Sequence, residues 1–95
     1  MQLSNMKYSA AVGILSSTVG DTLFLLEPDN GVYYELNMCG SHLWNKLQNK
    51  SLTFEECCKS LTEHFEGEGI ENIRTEVEDF IDSLSSKKLI TTVDH

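Results

Sequence analysis

Residues 31–40 read Gly-Val-Tyr-Tyr-Glu-Leu-Asn-Met-Cys-Gly, and within that stretch the chain changes from strand chemistry to helix chemistry. Val32, Tyr34 and Leu36 share one face of a period-two strand, with Tyr33 and Glu35 on the other. Asn37 is placed to cap a helix, and Gly40 removes a side chain where the first turn must approach a neighbour. A strand that runs directly into a helix divides the chain into a sheet half before it and a helical half after it.

In the sheet half, residues 1–7 are polar and unpatterned and read as a lead-in. Residues 8–17 carry a first strand, with Val12, Ile14 and Leu15 its best candidates and Gly13 weakening it, before a turn at 18–21. Thr-Leu-Phe-Leu-Leu-Glu at 22–27 is a near-continuous apolar run of strand length, expected at the centre of the sheet with much of both faces covered. Pro28, Asp29, Asn30 and Gly31 are turn residues, so this strand and the one at 32–36 form a hairpin. The result is a three-stranded antiparallel meander in which 32–36 is an edge.

In the helical half, Leu43, Trp44 and Leu47 mark a helix over 38–48, closed by Asn49, Lys50 and Ser51. Thr53 followed by Glu56 is a capping box, and Phe54, Cys57, Cys58, Leu61 and Phe65 give the second helix its apolar stripe. Gly67 and Gly69 end it. A third helix over 71–87 buries Ile73, Val77, Phe80, Ile81 and Leu84, with Lys87 and Lys88 at its C-terminal end, where the helix dipole favours cations. Leu89 and Ile90 return as a short extended segment before a tail at 91–95. The expected architecture is α+β, a single domain over 1–95 with its ordered core at 12–90 and three strands followed by three helices.

A chain of 95 residues has one modest core, which suits a binding module better than a self-sufficient enzyme. Acidic residues outnumber basic ones by 15 to 7, for a net charge of −8, and the cations make no patch beyond Lys87 and Lys88. Nucleic acid and anionic membrane both demand clustered positive charge, so neither is an expected partner. The chain shows no secretory signal and no apolar run of membrane-spanning length. Three cysteines, two of them adjacent, make no disulfide framework and suit a reducing cytoplasm.

Catalytic chemistry finds little support. Cys39 with His42 three residues later is the suggestive nucleophile and base pair, set against a reading in which Cys39 fills a packing space and His42 faces solvent. Cys57, Cys58 and His64 lack metal-ligand spacing, because adjacent helical residues point about 100° apart. Glu66, Glu68, Glu71, Glu76, Glu78, Asp79 and Asp82 read as the solvated face around the third helix, and the glycines flanking Glu68 stand beside carboxylates that would repel phosphate. The expectation is a protein without cofactor, metal or catalytic residues.

Binding through the edge strand has more physical content. Unpaired backbone groups accept an extended peptide as a further strand, and Tyr33 and Tyr34 supply apolar contact with a polar tip. The plainer alternative puts one tyrosine in the core and the other on the sheet face. The same edge also admits a homodimer. A winged-helix DNA-binding regulator has a comparable order of elements, but its recognition helix would carry Glu71, Glu76, Glu78, Asp79 and Asp82 against Arg74 and Lys87.

The element order, the 31–40 string with Leu43, Trp44 and Leu47 after it, and the run from Val77 through Leu84 to Leu89 and Ile90 together resemble the PqqD-like proteins. These are the precursor-peptide recognition domains (RREs) of pathways to ribosomally made, modified peptides (RiPPs). The resemblance spans 12–90, and its specific part is Leu-Asn-x-x-Gly with a tryptophan four residues after the glycine; Cys39 stands where the family commonly has threonine. It implies a winged-helix-like fold and a non-catalytic peptide chaperone that binds a leader peptide as an added strand on the third strand, in a cleft completed by the third helix. On this sequence the peptide-binding residues are then Val32, Tyr33, Tyr34, Glu35 and Leu36, with Arg74, Val77, Glu78 and Ile81 as the opposite wall. A charge at Tyr34 or Val77 is expected to weaken leader binding with the fold intact. The stand-alone size resembles the leader-binding partner in lasso-peptide pathways, which works with a leader peptidase of cysteine-protease type and a macrolactam cyclase. The alternative is a partner of a radical S-adenosylmethionine (radical SAM) enzyme.

Overall fold

The computed structural model describes residues 6–29, 31–65 and 72–93. Asn30 and residues 66–71, along with 1–5 and 94–95, lie outside the described residues, so the expectations that fall on them have no counterpart below. The order of elements is β1 (Lys7–Ala10), β2 (Leu15–Val19), β3 (Thr22–Glu27), β4 (Val32–Leu36), α1 (Met38–Asn49), β5 (Leu52–Thr53), α2 (Phe54–His64), α3 (Ile73–Ser86) and β6 (Ile90–Val93).

The expected meander is present as an antiparallel sheet in the order β2-β3-β4, with β4 at its edge. Gly31 closes the hairpin: its φ of 70° suits glycine, and its N–H donates to the Glu27 carbonyl at 2.8 Å. Register runs from Leu15↔Leu26 to Val19↔Thr22 and from Leu23↔Leu36 to Glu27↔Val32. Residues directly opposite one another share a face. Leu23, Leu25 and Leu36 therefore point into the core, while Phe24 and Leu26 lie half-buried on the far face. β3 is central, as expected, but it alternates instead of being covered equally on both sides.

The structure departs from the sequence expectation at two places. The first strand of the meander begins at Leu15, because Gly13 adopts φ 90° and turns the chain, which leaves Val12 fully exposed. Thr18 and Val19, expected in the turn, belong to the strand. The lead-in, expected to be unstructured through Lys7, instead gives Lys7 to β1, the middle strand of a second sheet in the order β5-β1-β6. β1 pairs Tyr8 with Leu52 on one side and Ala10 with Ile90 on the other, and β6 extends through residues assigned to the tail.

The three helices fall where the apolar periodicity places them. Leu43, Trp44 and Leu47 of α1, Cys57 and Leu61 of α2, and Val77, Phe80, Ile81 and Leu84 of α3 meet Leu23, Leu25, Leu89 and Ile90 in one core. Asn37 caps α1, its Oδ1 accepting from the Gly40 N–H at 2.7 Å. A Cβ on Gly40 would lie 3.4 Å from both Leu36 and Phe80, so the glycine lets the end of β4 and the start of α1 close against α3. Thr53 and Glu56 form the full reciprocal capping box. Thr53→Ala is expected to cost about 1 kcal/mol, read as a shift in the urea midpoint with an unchanged slope. Among the described residues no helix is long and apolar enough to cross a membrane.

Candidate functional site

β4 pairs with β3 along one side and ends the sheet on the other, so alternate backbone groups along 33–36 point outward. Its side chains divide as the period-two pattern requires. Leu36 is buried; Tyr34 is half-buried against the core, with Lys87 Nζ 5.5 Å from its ring centroid; and Tyr33 and Glu35 are exposed. Tyr33 lies across from Leu26, which lies across from Leu15, an apolar row on the outer face of the sheet.

Where β4 runs into α1, a cleft of about 270 Å³ opens against α3. Leu36, Gly40, Phe80 and Leu84 supply its apolar surface, and Glu35, Asn37, Glu76, Asp79 and Ser83 supply its polar groups. A strand edge beside an apolar floor can take main-chain hydrogen bonds and alternate side chains at once.

Of the wall residues that the sequence nominated on α3, none lines this cleft. Val77 is wholly buried and Ile81 nearly so. Arg74, Glu78 and Ile81 line a separate cleft of about 270 Å³ with Tyr8, Phe54, Glu55 and Asp82. There Arg74 donates to both Glu55 carboxylate oxygens, at 3.0 and 3.1 Å, and its guanidinium lies 4.9 Å from the Phe54 ring centroid. From α3 this cleft is lined instead by Glu76, Asp79, Phe80, Ser83 and Leu84, which sequence reasoning did not nominate and which recur at helical spacing along one face. Their signal was available: Leu84 and Phe80 belong to the core stripe, and the cleft lies on the flank of that stripe away from Arg74 and Glu78.

The chemistry-bearing groups elsewhere are not assembled for catalysis among the described residues. Burial, then the neighbouring Cys58 and Glu56, push the Cys57 thiol up to about 12, so it stays protonated. Burial and the nearby Glu76 carboxylate also raise Cys39. His42, expected to face solvent, instead packs on α2: its Nε2 lies 2.7 Å from Ser60 Oγ and its ring stacks on His64 at 4.1 Å between centroids. Burial and the charge of His64 lower its pKa, so His42 resists protonation. A DNA-binding reading fares no better, since α3 carries Glu76, Glu78, Asp79 and Asp82, and its Arg74 is engaged by Glu55.

Comparison with known proteins gives three results. No curated protein matches the chain. Among solved structures, one described as "TbiB1 in Complex with the TbiA(beta) Leader Peptide" is similar, with a TM-score of 0.69 at 22% identity, over 86% of this chain and 93% of that one. At that identity the likeness establishes a shared fold. The model of the family described as "Coenzyme PQQ synthesis protein D (PqqD)" matches residues 22–90, a segment that takes in β3, β4, all three helices and the cleft between β4 and α3. This chain belongs to the PqqD family.

Proposed function

We propose that this protein is a non-catalytic adaptor that captures the leader segment of a ribosomally made precursor peptide as an added strand on β4 and presents it to modifying enzymes. The observation that carries this reading is the open edge of β4 beside a cleft floored by Leu36, Phe80 and Leu84. Family membership supports it, as does the leader peptide in the complex of the similarly folded TbiB1. Its closest functional setting is a cytoplasmic lasso-peptide pathway, where a leader peptidase of cysteine-protease type and a macrolactam cyclase would receive the peptide. Holding leader and enzyme on one small protein raises the effective concentration of the substrate core at the enzyme. The same outward backbone groups admit a second copy of the chain, and leader binding would compete with that pairing.

Titration of fluorescein-labelled leaders, taken from precursor genes encoded beside this protein, tests the proposal by anisotropy. The expected result is saturable binding to one leader, none to a DNA duplex, and a loss of at least about tenfold when backbone N–H groups facing β4 are N-methylated. A leader from a precursor adjacent to a radical SAM enzyme would relocate the adaptor to that pathway. Binding to DNA alone, or to no leader at all, would overturn the reading.

A further inference from the structure

The cleft beside β4 combines two features that pull toward different ligands unless one side chain satisfies both. Its floor is apolar, from Leu36, Phe80 and Leu84, while Glu76 and Asp79 of α3 bring acidic residues to its lining. Among the described residues the ion pair is Arg74 with Glu55, on the other side of α3, and no described cation forms an ion pair with Glu76 or Asp79. Glu76 and Asp79 stand three residues apart on one helix, a spacing at which like charges repel. The helix dipole accounts for an acid in the first turn of α3, where Glu76 lies, but not for Asp79. The N-terminus of α1 also meets the cleft, yet its partial charge is about half a unit, and the Gly40 N–H is already taken by Asn37 Oδ1. The negative charge therefore prevails. Its reach is visible in Cys39, whose thiol is raised in part by Glu76. Midway along the strand the sign reverses, where Lys87 lies over Tyr34.

We infer that the segment captured on β4 carries a lysine or arginine whose aliphatic stem lies over Phe80 and Leu84 and whose charged head lies by Glu76 and Asp79. Long cationic side chains suit this place because they bury their methylenes on apolar surface while the head reaches polar groups. The inference rests on the strand-addition reading and adds to it a class of peptide and a register. The basic residue sits at the Leu36 end of β4, and an acidic residue is disfavoured there and tolerated near Lys87.

Selection of random linear peptides displayed on phage, against the full-length chain, tests both levels separately. Three proteins are compared: the parent, the Glu76→Gln/Asp79→Asn double variant, and Asp82→Asn, which makes the same kind of charge change on the far side of α3. Selected peptides are resynthesised with and without backbone N-methylation and titrated by anisotropy at low and high salt. The expected result is a lysine or arginine at one fixed position, affinity lowered about fivefold by the double variant and unchanged by Asp82→Asn, and a weaker difference at high salt. Peptides that bind in an N-methylation-sensitive way without a basic preference, or with one that survives the double variant, overturn this inference and leave strand addition standing. Peptides insensitive to N-methylation overturn strand addition and this inference together. Circular dichroism of each variant confirms that the fold is retained.

Discussion

Val77→Asp is expected to leave little folded protein at room temperature. Val77 sits on α3 with no exposed surface, among the residues that join the helices to the sheet. Aspartate there removes an apolar side chain whose burial contributes about 1.5–3 kcal/mol. It also places a carboxylate in the core with no cation beside it, which costs several kcal/mol more whether the group ionises or takes up a proton. A domain of this size has about 5–14 kcal/mol of stability in total, so the two losses together approach the whole. A urea titration followed by far-ultraviolet circular dichroism reads the outcome directly. A cooperative transition within about 1 kcal/mol of the parent would mean that Val77 is not packed in the core. The sequence reading set this residue on the cleft wall and expected a charge to weaken peptide binding with the fold intact; burial reverses that expectation. Asp79→Val, two residues on and exposed, should leave the fold almost unaffected.

The contrast between positions 77 and 79 shows what sequence could and could not reveal here. Helical periodicity identified the core stripe of α3 correctly, and Val77, Phe80, Ile81 and Leu84 are all buried. Periodicity says which residues face inward, but it does not say which flank of the stripe meets a given strand. That depends on the direction in which α3 crosses the sheet, a tertiary quantity. The cleft beside β4 is lined by Glu76, Asp79, Phe80, Ser83 and Leu84, while Arg74, Glu78 and Ile81 line the other flank of α3. Local signals with a stereochemical mechanism were more dependable. The Asn37 cap, the Thr53–Glu56 box, the Gly31 turn and the close approach at Gly40 each appear as the residue types require. β4 was legible as an edge because it ends a meander, a topology that short turns between strands dictate.

Deletion of residues 1–10 is the second change expected to have a large effect, and it addresses the element that was least visible. Lys-Tyr-Ser-Ala at 7–10 has neither the apolar alternation nor the length of a persuasive strand. It forms one because partners distant in the chain complete it, with β5 on one side and β6 on the other. A middle strand carries hydrogen bonds along both edges, each contributing about 1 kcal/mol. Its removal would expose backbone in β5 and β6 and uncover Leu52 and Ile90, which are buried and lie across from Tyr8 and Ala10. Tyr8 also lines a cleft with Phe54 and Ile81, on the side of α3 that faces away from the peptide cleft, and β6, which β1 pairs with, contacts α3. The expected loss is about 5 kcal/mol, read from urea denaturation. Whatever folded fraction remains should bind peptide less tightly, because β6, the strand of this sheet that contacts α3, would lose its partner. A truncated chain with parental stability would show that residues 7–10 contribute nothing to the fold. Parental stability with impaired peptide binding would instead assign β1 to positioning α3 alone.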